Sequence, residues 1–267
     1  MKPSLNRPPM PRWPLPRMPL RPALAAPLRR SAVAALLGVA IVALLMLAGC
    51  RPGGSTTELF PLEGGHRWVY RQTTEYENNV IEKEELVIDS LGADDLPGIG
   101  RAWHRRSASG VDYWLRSDDS GIYRVASKND TQPEPVPDPS PRYVLRQPLV
   151  AGTQWQASTT AYLLRRRQEF PPEIRHSAAP VLMTYTIEAV GLTVDSAAGR
   201  YAQCVQVKGT AQMRLFADPV QGWRDMPLTT TEWYCPGPGL VRVVRNEPAN
   251  STFLVGGTQT LELNEWQ

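Results

Sequence analysis

The amino-acid sequence predicts an all-β domain over residues 58–267: a single antiparallel, strongly curved sheet or half-open β-barrel, with at most one or two short helices. Three observations predict it. Short runs alternate apolar and polar side chains, the period-two signature of a half-buried strand. The gaps between them are rich in Gly, Pro, Asp and Asn, which supply turn conformations. Seven of the eight Trp, all nine Tyr and all four Phe lie beyond residue 57, large rings that a sheet buries on one face.

Residues 66–76 place Trp68, Tyr70 and Tyr76 on one face of a strand, and Asn78-Asn79 signals a hairpin. The return strand covers 80–90, with Glu82, Lys83, Glu84 and Glu85 marking a half-exposed edge region before Leu86-Val87-Ile88 enters the buried sheet. Tyr113-Trp114-Leu115 and residues 122–125 flank a loop at 117–121 whose small polar residues tolerate positive φ. Further strands fit 183–190, 201–207, 212–216, 229–234, 240–245, 252–255 and 260–263.

Two segments break the pattern. Residues 131–141 hold five prolines, which cannot donate to a regular ladder and predict an extended surface loop, a natural divide between two halves. Residues 161–170, with Arg165-Arg166-Arg167, are the best helix candidate, ended by Pro171-Pro172. The arginine triplet reads as a solvated face or, alternatively, as a contact for anionic headgroups.

The sequence also echoes itself. Pro61-Leu62-x-x-Gly65-x-x-Trp68 recurs as Pro148-Leu149-x-x-Gly152-x-x-Trp155. Each copy predicts the start of a strand: proline before the ladder, leucine plugging the core edge, glycine reversing tightly and tryptophan opening the inward face.

The first fifty residues read as an export signal. Residues 1–30 carry seven Lys/Arg, nine prolines and no acid, ending in Leu28-Arg29-Arg30, a positive charge held on the cytoplasmic side. Residues 31–49 form an uncharged apolar run of nineteen residues. Its end, Leu47-Ala48-Gly49-Cys50, resembles the lipobox of bacterial lipoproteins. The resemblance implies cleavage between Gly49 and Cys50, a diacylglyceryl group on the Cys50 thiol and a further acyl chain of the palmitate type on the new amino terminus. Several chains together anchor firmly where one holds only marginally. The alternative is an uncleaved signal-anchor helix, which puts the domain on the same side of the membrane. Lipoproteins retained in the inner membrane typically carry Asp after the cysteine. Here Arg51 stands there, so the expected location is the outer membrane, facing the periplasm. Residues 50–57 then form a lipidated flexible tether.

Removing the leader changes the charge. Of 29 basic residues seven precede position 31, leaving 22 against 26 acidic side chains, so residues 51–267 sit at about −4 rather than the +3 of the whole chain. No nucleic-acid partner is expected. With Cys50 lipidated, Cys204 and Cys235 remain in an oxidising compartment, and a disulfide between them is the economical reading. The alternative, a nucleophilic cysteine partnered by His66, His104 or His176, has no thiol-protease or C-x-x-C signature around it. Asp94-Asp95 and Asp118-Asp119 read as surface loops rather than a glycosidase pair. No metal-ligand spacing, phosphate loop or nucleophile elbow is present, and the expectation is no metal, no cofactor and no catalysis.

Four stretches carry a resemblance: Phe60-Pro61-Leu62-x-x-Gly65-x-x-Trp68-Val69-Tyr70-Arg71, its echo at 148–155, residues 194–207 around Cys204, and Glu232-Trp233-Tyr234-Cys235-Pro236-Gly237-Pro238-Gly239-Leu240-Val241-Arg242. Together they resemble a widespread family of bacterial secreted proteins and lipoproteins, with Pro238 standing where such proteins often have valine. The resemblance implies a compact β-rich envelope domain and no established activity. A more distant similarity, to the half-open barrels of lipoprotein carriers and receptors, implies a concave apolar face. The expected function is therefore binding of lipid or another apolar ligand, with Trp68, Tyr70, Trp114 and Trp155 as candidate lining residues. The alternative is an assembly module docking an envelope protein through an edge strand or the Pro-rich loop.

Overall fold

The computed structural model describes residues 56, 58–167 and 180–267. The expected signal peptide, Gly49, Cys50 and most of the tether lie outside the described residues. Thr56, at the end of that tether, is already buried.

The described residues form fourteen strands and no helix. They are β1 (Arg67–Tyr76), β2 (Ile81–Leu96), β3 (Gly100–Ser107), β4 (Asp112–Asp118), β5 (Gly121–Lys128), β6 (Val136–Arg146) and β7 (Gln154–Thr159), followed by β8 (Arg165–Arg166), β9 (Val181–Ser196), β10 (Gly199–Asp218), β11 (Gly222–Cys235), β12 (Gly239–Glu247), β13 (Leu254–Val255) and β14 (Gly257–Trp266). Twelve of them make one antiparallel sheet in the order β6-β5-β4-β3-β2-β1-β14-β12-β11-β10-β9-β7, nearly closed into a barrel with one unsealed seam between β6 and β7. The short pair β8 and β13 stands apart.

The sheet is two six-stranded meanders, β1 to β6 and β7 to β14, each opening on one copy of the echoed motif. Both copies are built alike. Gly65 and Gly152 both take φ +93°, a left-handed value open to glycine. The Gly65 N–H donates to Ser90 O at 2.8 Å while Ser90 N–H donates to His66 O at 2.8 Å. In the second half Gly152 N–H donates to Ile187 O at 2.8 Å and Ile187 N–H to Thr153 O at 2.9 Å. Leu62 and Leu149 are buried plugs, and Trp68 and Trp155 are buried just beyond.

Four sequence expectations are corrected. The helix expected over 161–170 is absent where described: residues 161–164 run irregularly and Arg165–Arg166 pair with β13, while 168–170 lie outside the described residues. A buried carboxylate fixes the irregular course of this segment. Glu247 accepts the backbone N–H groups of Tyr162 (3.1 Å), Leu163 (2.8 Å) and Leu164 (3.2 Å), satisfying three donors that have no ladder partner. The Pro-rich loop begins as loop but becomes β6, an edge strand where missing N–H groups are tolerated. Its pairing slips between Arg124/Ala126, where residues 138–141 bulge out. The strands expected at 201–207 and 212–216 are one strand, β10. Asp94-Asp95 belong to β2, which continues past Ser90, and β3 adds a strand that the sequence pattern did not mark.

Cys204 and Cys235 form the expected disulfide, with Cα atoms 4.1 Å apart. Val205 pairs with Tyr234, so the two cysteines face each other directly across β10 and β11. Closing a loop of 31 residues contributes roughly 3–4 kcal/mol on the chain-entropy model.

Candidate functional site

Strand alternation sends one face of the sheet into the barrel. Along β11 the inward row is Met226, Leu228, Thr230, Glu232 and Tyr234. Across the sheet, Trp155 pairs with Tyr185, Tyr185 with Gly209, and Gly209 with Thr230. The Trp155 and Tyr185 rings stack with centroids 5.7 Å apart. Gly209 is what leaves them room, because a Cβ there would lie 2.6 Å from Thr230 Cγ2 and 3.0 Å from Tyr185 Cε1.

The inward faces of both meanders line a half-open cavity of about 270 Å³. Its aromatic wall consists of Phe60, Tyr70, Tyr113, Tyr143, Tyr185 and Tyr234. Ile88, Leu115, Val144 and Leu240 supply aliphatic surface. Four ionisable groups also face it: Arg105, Arg124, Arg142 and Glu232.

Arg105 stands on β3 and is 9% exposed. Its guanidinium carbon lies 3.9 Å from the Phe60 ring centroid and 4.3 Å from that of Trp68, a cation–π arrangement with two rings. One Nη donates to Pro61 O, whereas the buried Nε has no hydrogen-bond partner. Burial lowers its pKa to about 10, the Tyr70 and Tyr234 phenols opposing the shift. Arg124 is neutralised by Asp138 through hydrogen bonds of 2.7 and 2.6 Å. Arg142 donates from Nε to Ser158 O at 2.9 Å across the seam. Among the described residues neither Arg105 nor Arg142 has a carboxylate within ion-pairing distance.

Glu232 accepts the Tyr234 hydroxyl at 2.5 Å and the Thr230 hydroxyl at 3.4 Å. Desolvation by burial raises its pKa, against the pull of those hydroxyls and of Arg142 and Arg245. The Tyr185 phenol is pushed up to about 12 by burial and by Glu232, and burial also raises those of Tyr70 and Tyr234, so the walls present neutral hydroxyls.

Of the four expected lining residues only Tyr70 touches the cavity, and it also donates from its hydroxyl to Leu240 O at 2.9 Å. Trp68 lies behind Arg105 and donates its indole N–H to Pro238 O at 2.7 Å. Trp155 backs Tyr185 and donates to Tyr143 O at 3.2 Å. Trp114 faces away altogether: its neighbours in register are Ala126 and His104, and it packs with Ala102, Ala126, Leu96 and Ile99 in a separate cluster. Period two is the reason, since Tyr113 and Leu115 take the inward positions on either side.

His66, His104 and the acidic candidates likewise lie elsewhere, and His176 lies outside the described residues. His104 stacks on Trp114 at 4.6 Å, between Asp94 (2.9 Å) and Asp112 (2.8 Å). Asp118 caps the turn at Ser120. Sequence reasoning missed the cavity's charges, although one signal was present: Glu232 falls on the same alternation as Leu228 and Tyr234.

No family model matches the chain, and no curated protein matches it. Among solved structures, a candidate lipoprotein from Parabacteroides distasonis aligns over 80% of this chain and 100% of its own, at 15% identity and a TM-score of 0.39. A candidate exported protein with a YmcC-like fold from Bacteroides fragilis aligns over 78% of this chain and 98% of its own, at 15% identity and a TM-score of 0.35. Likenesses this distant carry no argument about function.

Proposed function

We propose that this chain is a lipid-anchored protein of the bacterial outer membrane whose periplasm-facing barrel binds a small apolar or amphiphilic molecule without transforming it. The observation that carries the binding role is the interior cavity, walled mostly by rings and aliphatic side chains that meet from both meanders. The leader ending in Leu47-Ala48-Gly49-Cys50 supports the anchor and the compartment. At about 30 Å³ per water-sized group, the cavity takes on the order of nine heavy atoms, a short chain or one ring rather than a whole lipid.

Native mass spectrometry of the full-length chain, purified from envelopes with its anchor in place, tests the binding role. The expected result is an added small-molecule mass that organic extraction removes. A chain that never carries such a mass, and acquires none from a lipid extract, overturns it. Cys50→Ser tests the anchor, with loss of the acylated mass and retention of residues 1–49 as the expected result. An unmodified chain that keeps residues 1–49 and carries no acyl mass overturns the lipid anchor in favour of an uncleaved helix.

One feature favours the second reading, docking of an envelope protein. β6 is a sheet edge whose Val136 end is exposed. Crosslinking from residue 136 in intact envelopes that captures one defined partner is the result expected of that role.

A further inference from the structure

The aromatic cavity is not electrically neutral, and its imbalance has a sign. Arg124 is cancelled by Asp138. What remains facing the cavity is Arg105, Arg142 and Glu232, a surplus of one positive charge with Glu232 ionised. The Arg105 guanidinium is held out of water with an unsatisfied Nε, and its fixed partners are one carbonyl and two rings. Leaving a buried donor unmade is costly, and a buried charge without a counter-charge more so. A guanidinium is also the group whose planar fork fits a carboxylate with two parallel hydrogen bonds.

We infer that the cavity is a site for a monoanionic amphiphile: a carboxylate head seated on Arg105 and Arg142, with a short apolar tail among Tyr70, Tyr113, Tyr185 and Leu115. This rests on the binding role proposed above and specifies its ligand. One negative charge cancels the surplus, and the guanidinium that faces the cavity supplies its counter-charge. The neutral tyrosine hydroxyls add no competing charge, and the cavity volume fits a chain of about eight carbons. A bland role for Arg105, stapling the Phe60-Pro61 segment to the barrel, accounts for its contact with Pro61 O but leaves the charge surplus unexplained.

The test compares probes of equal length on the full-length chain in a neutral detergent: octanoate, 1-octanol and octyl phosphate, by calorimetry. Octanoate is expected to bind at least about tenfold more tightly than octanol, the size of a charge-assisted hydrogen bond. Arg142→Gln is expected to remove most of that preference while octanol binding stays within about twofold. Arg105→Gln is expected to do the same. Should that variant fail to fold by circular dichroism, the unmodified chain and Arg142→Gln decide the matter.

Equal binding of octanoate and octanol overturns the anionic head and leaves the apolar-ligand role standing. Binding of none of the probes overturns both. Tighter binding of octyl phosphate than of octanoate overturns the single-charge assignment. A preference for octanoate that survives loss of either arginine places the anion elsewhere and overturns the site.

Discussion

The two meanders meet twice, and the two junctions differ. Where the first strand meets the last, β1 and β14 pair from Trp68 opposite Trp266 to Tyr76 opposite Gly257 with one bulge between Val69 and Tyr70, and Arg67 and Gln267 exchange backbone hydrogen bonds beyond the end. Where β6 meets β7 there is no ladder. Two bonds from side chains to carbonyls span the gap, Arg142 to Ser158 and Trp155 to Tyr143. Composition separates the two cases. β6 contains Pro137, Pro139 and Pro141, which remove donors at alternate positions, whereas β1 and β14 contain no proline. The difference teaches that this barrel holds one junction by backbone and the other by two side chains, one of which, Arg142, also walls its cavity.

The largest expected effect concerns the segment that follows β7, where Glu247 on β12 holds residues 162–164 and pairs with Arg245 at 2.6 Å. Glu247→Ala leaves that guanidinium buried and unpaired. It is expected to cost roughly 3–5 kcal/mol, read as a lowered denaturant midpoint. Removing the disulfide with Cys204→Ser and Cys235→Ser is expected to cost roughly 3–4 kcal/mol. Because that bond joins β10 to β11 and packs with Trp68, Tyr70 and Leu263 at the β1–β14 junction, the loss should appear in global unfolding without selective loosening of the β6–β7 seam. Faster exchange confined to β7 amides would contradict this.

A smaller change breaks the comparison most directly. Trp155→Phe keeps a ring against Tyr185 but removes the donor to Tyr143 O, at an expected cost of about 1 kcal/mol. Hydrogen exchange should rise in residues 154–159 and stay unchanged in β1 and β14. The smallest effect is one of slope. The folded state binds the Glu232 proton more tightly than the unfolded chain, so this group's contribution is fully present below the ordinary carboxylate range. It is lost as pH rises through the raised value. Glu232→Gln is expected to flatten the melting temperature between about pH 4 and pH 8 relative to the unmodified chain.

Much of this architecture was legible. Strand β1, the turns after Glu77 and Asp119, the repeated strand-opening motif and the cysteine pair follow from period-two alternation, turn chemistry and redox compartment. The cavity was less so, for a physical reason. Alternation separates two faces but does not say which is the inside when both are buried, and Leu96 and Ile99 cover an outer cluster that hides Trp114 as fully as the barrel hides Trp68. Likewise Trp103-His104-Arg105-Arg106 reads as a basic surface run, although Arg105 pairs with Tyr113 on the inward face while His104 and Arg106 turn outward. The irregular course of residues 161–164 was not legible because the group that fixes it, Glu247, lies more than eighty residues away in sequence.

The ladder between β1 and β14 bears on how the chain acquires its shape. The other junctions in the large sheet join strands that follow closely in sequence, so each meander can assemble from neighbouring hairpins as soon as its own residues are free. Pairing Trp68 with Trp266 instead requires both ends of the domain to find each other, at the entropic cost of closing a very long loop. That closure is expected to be the slow, late step. Until it happens, β1 and β14 are bare edges, and the chain is at its most vulnerable to sticking to another copy of itself.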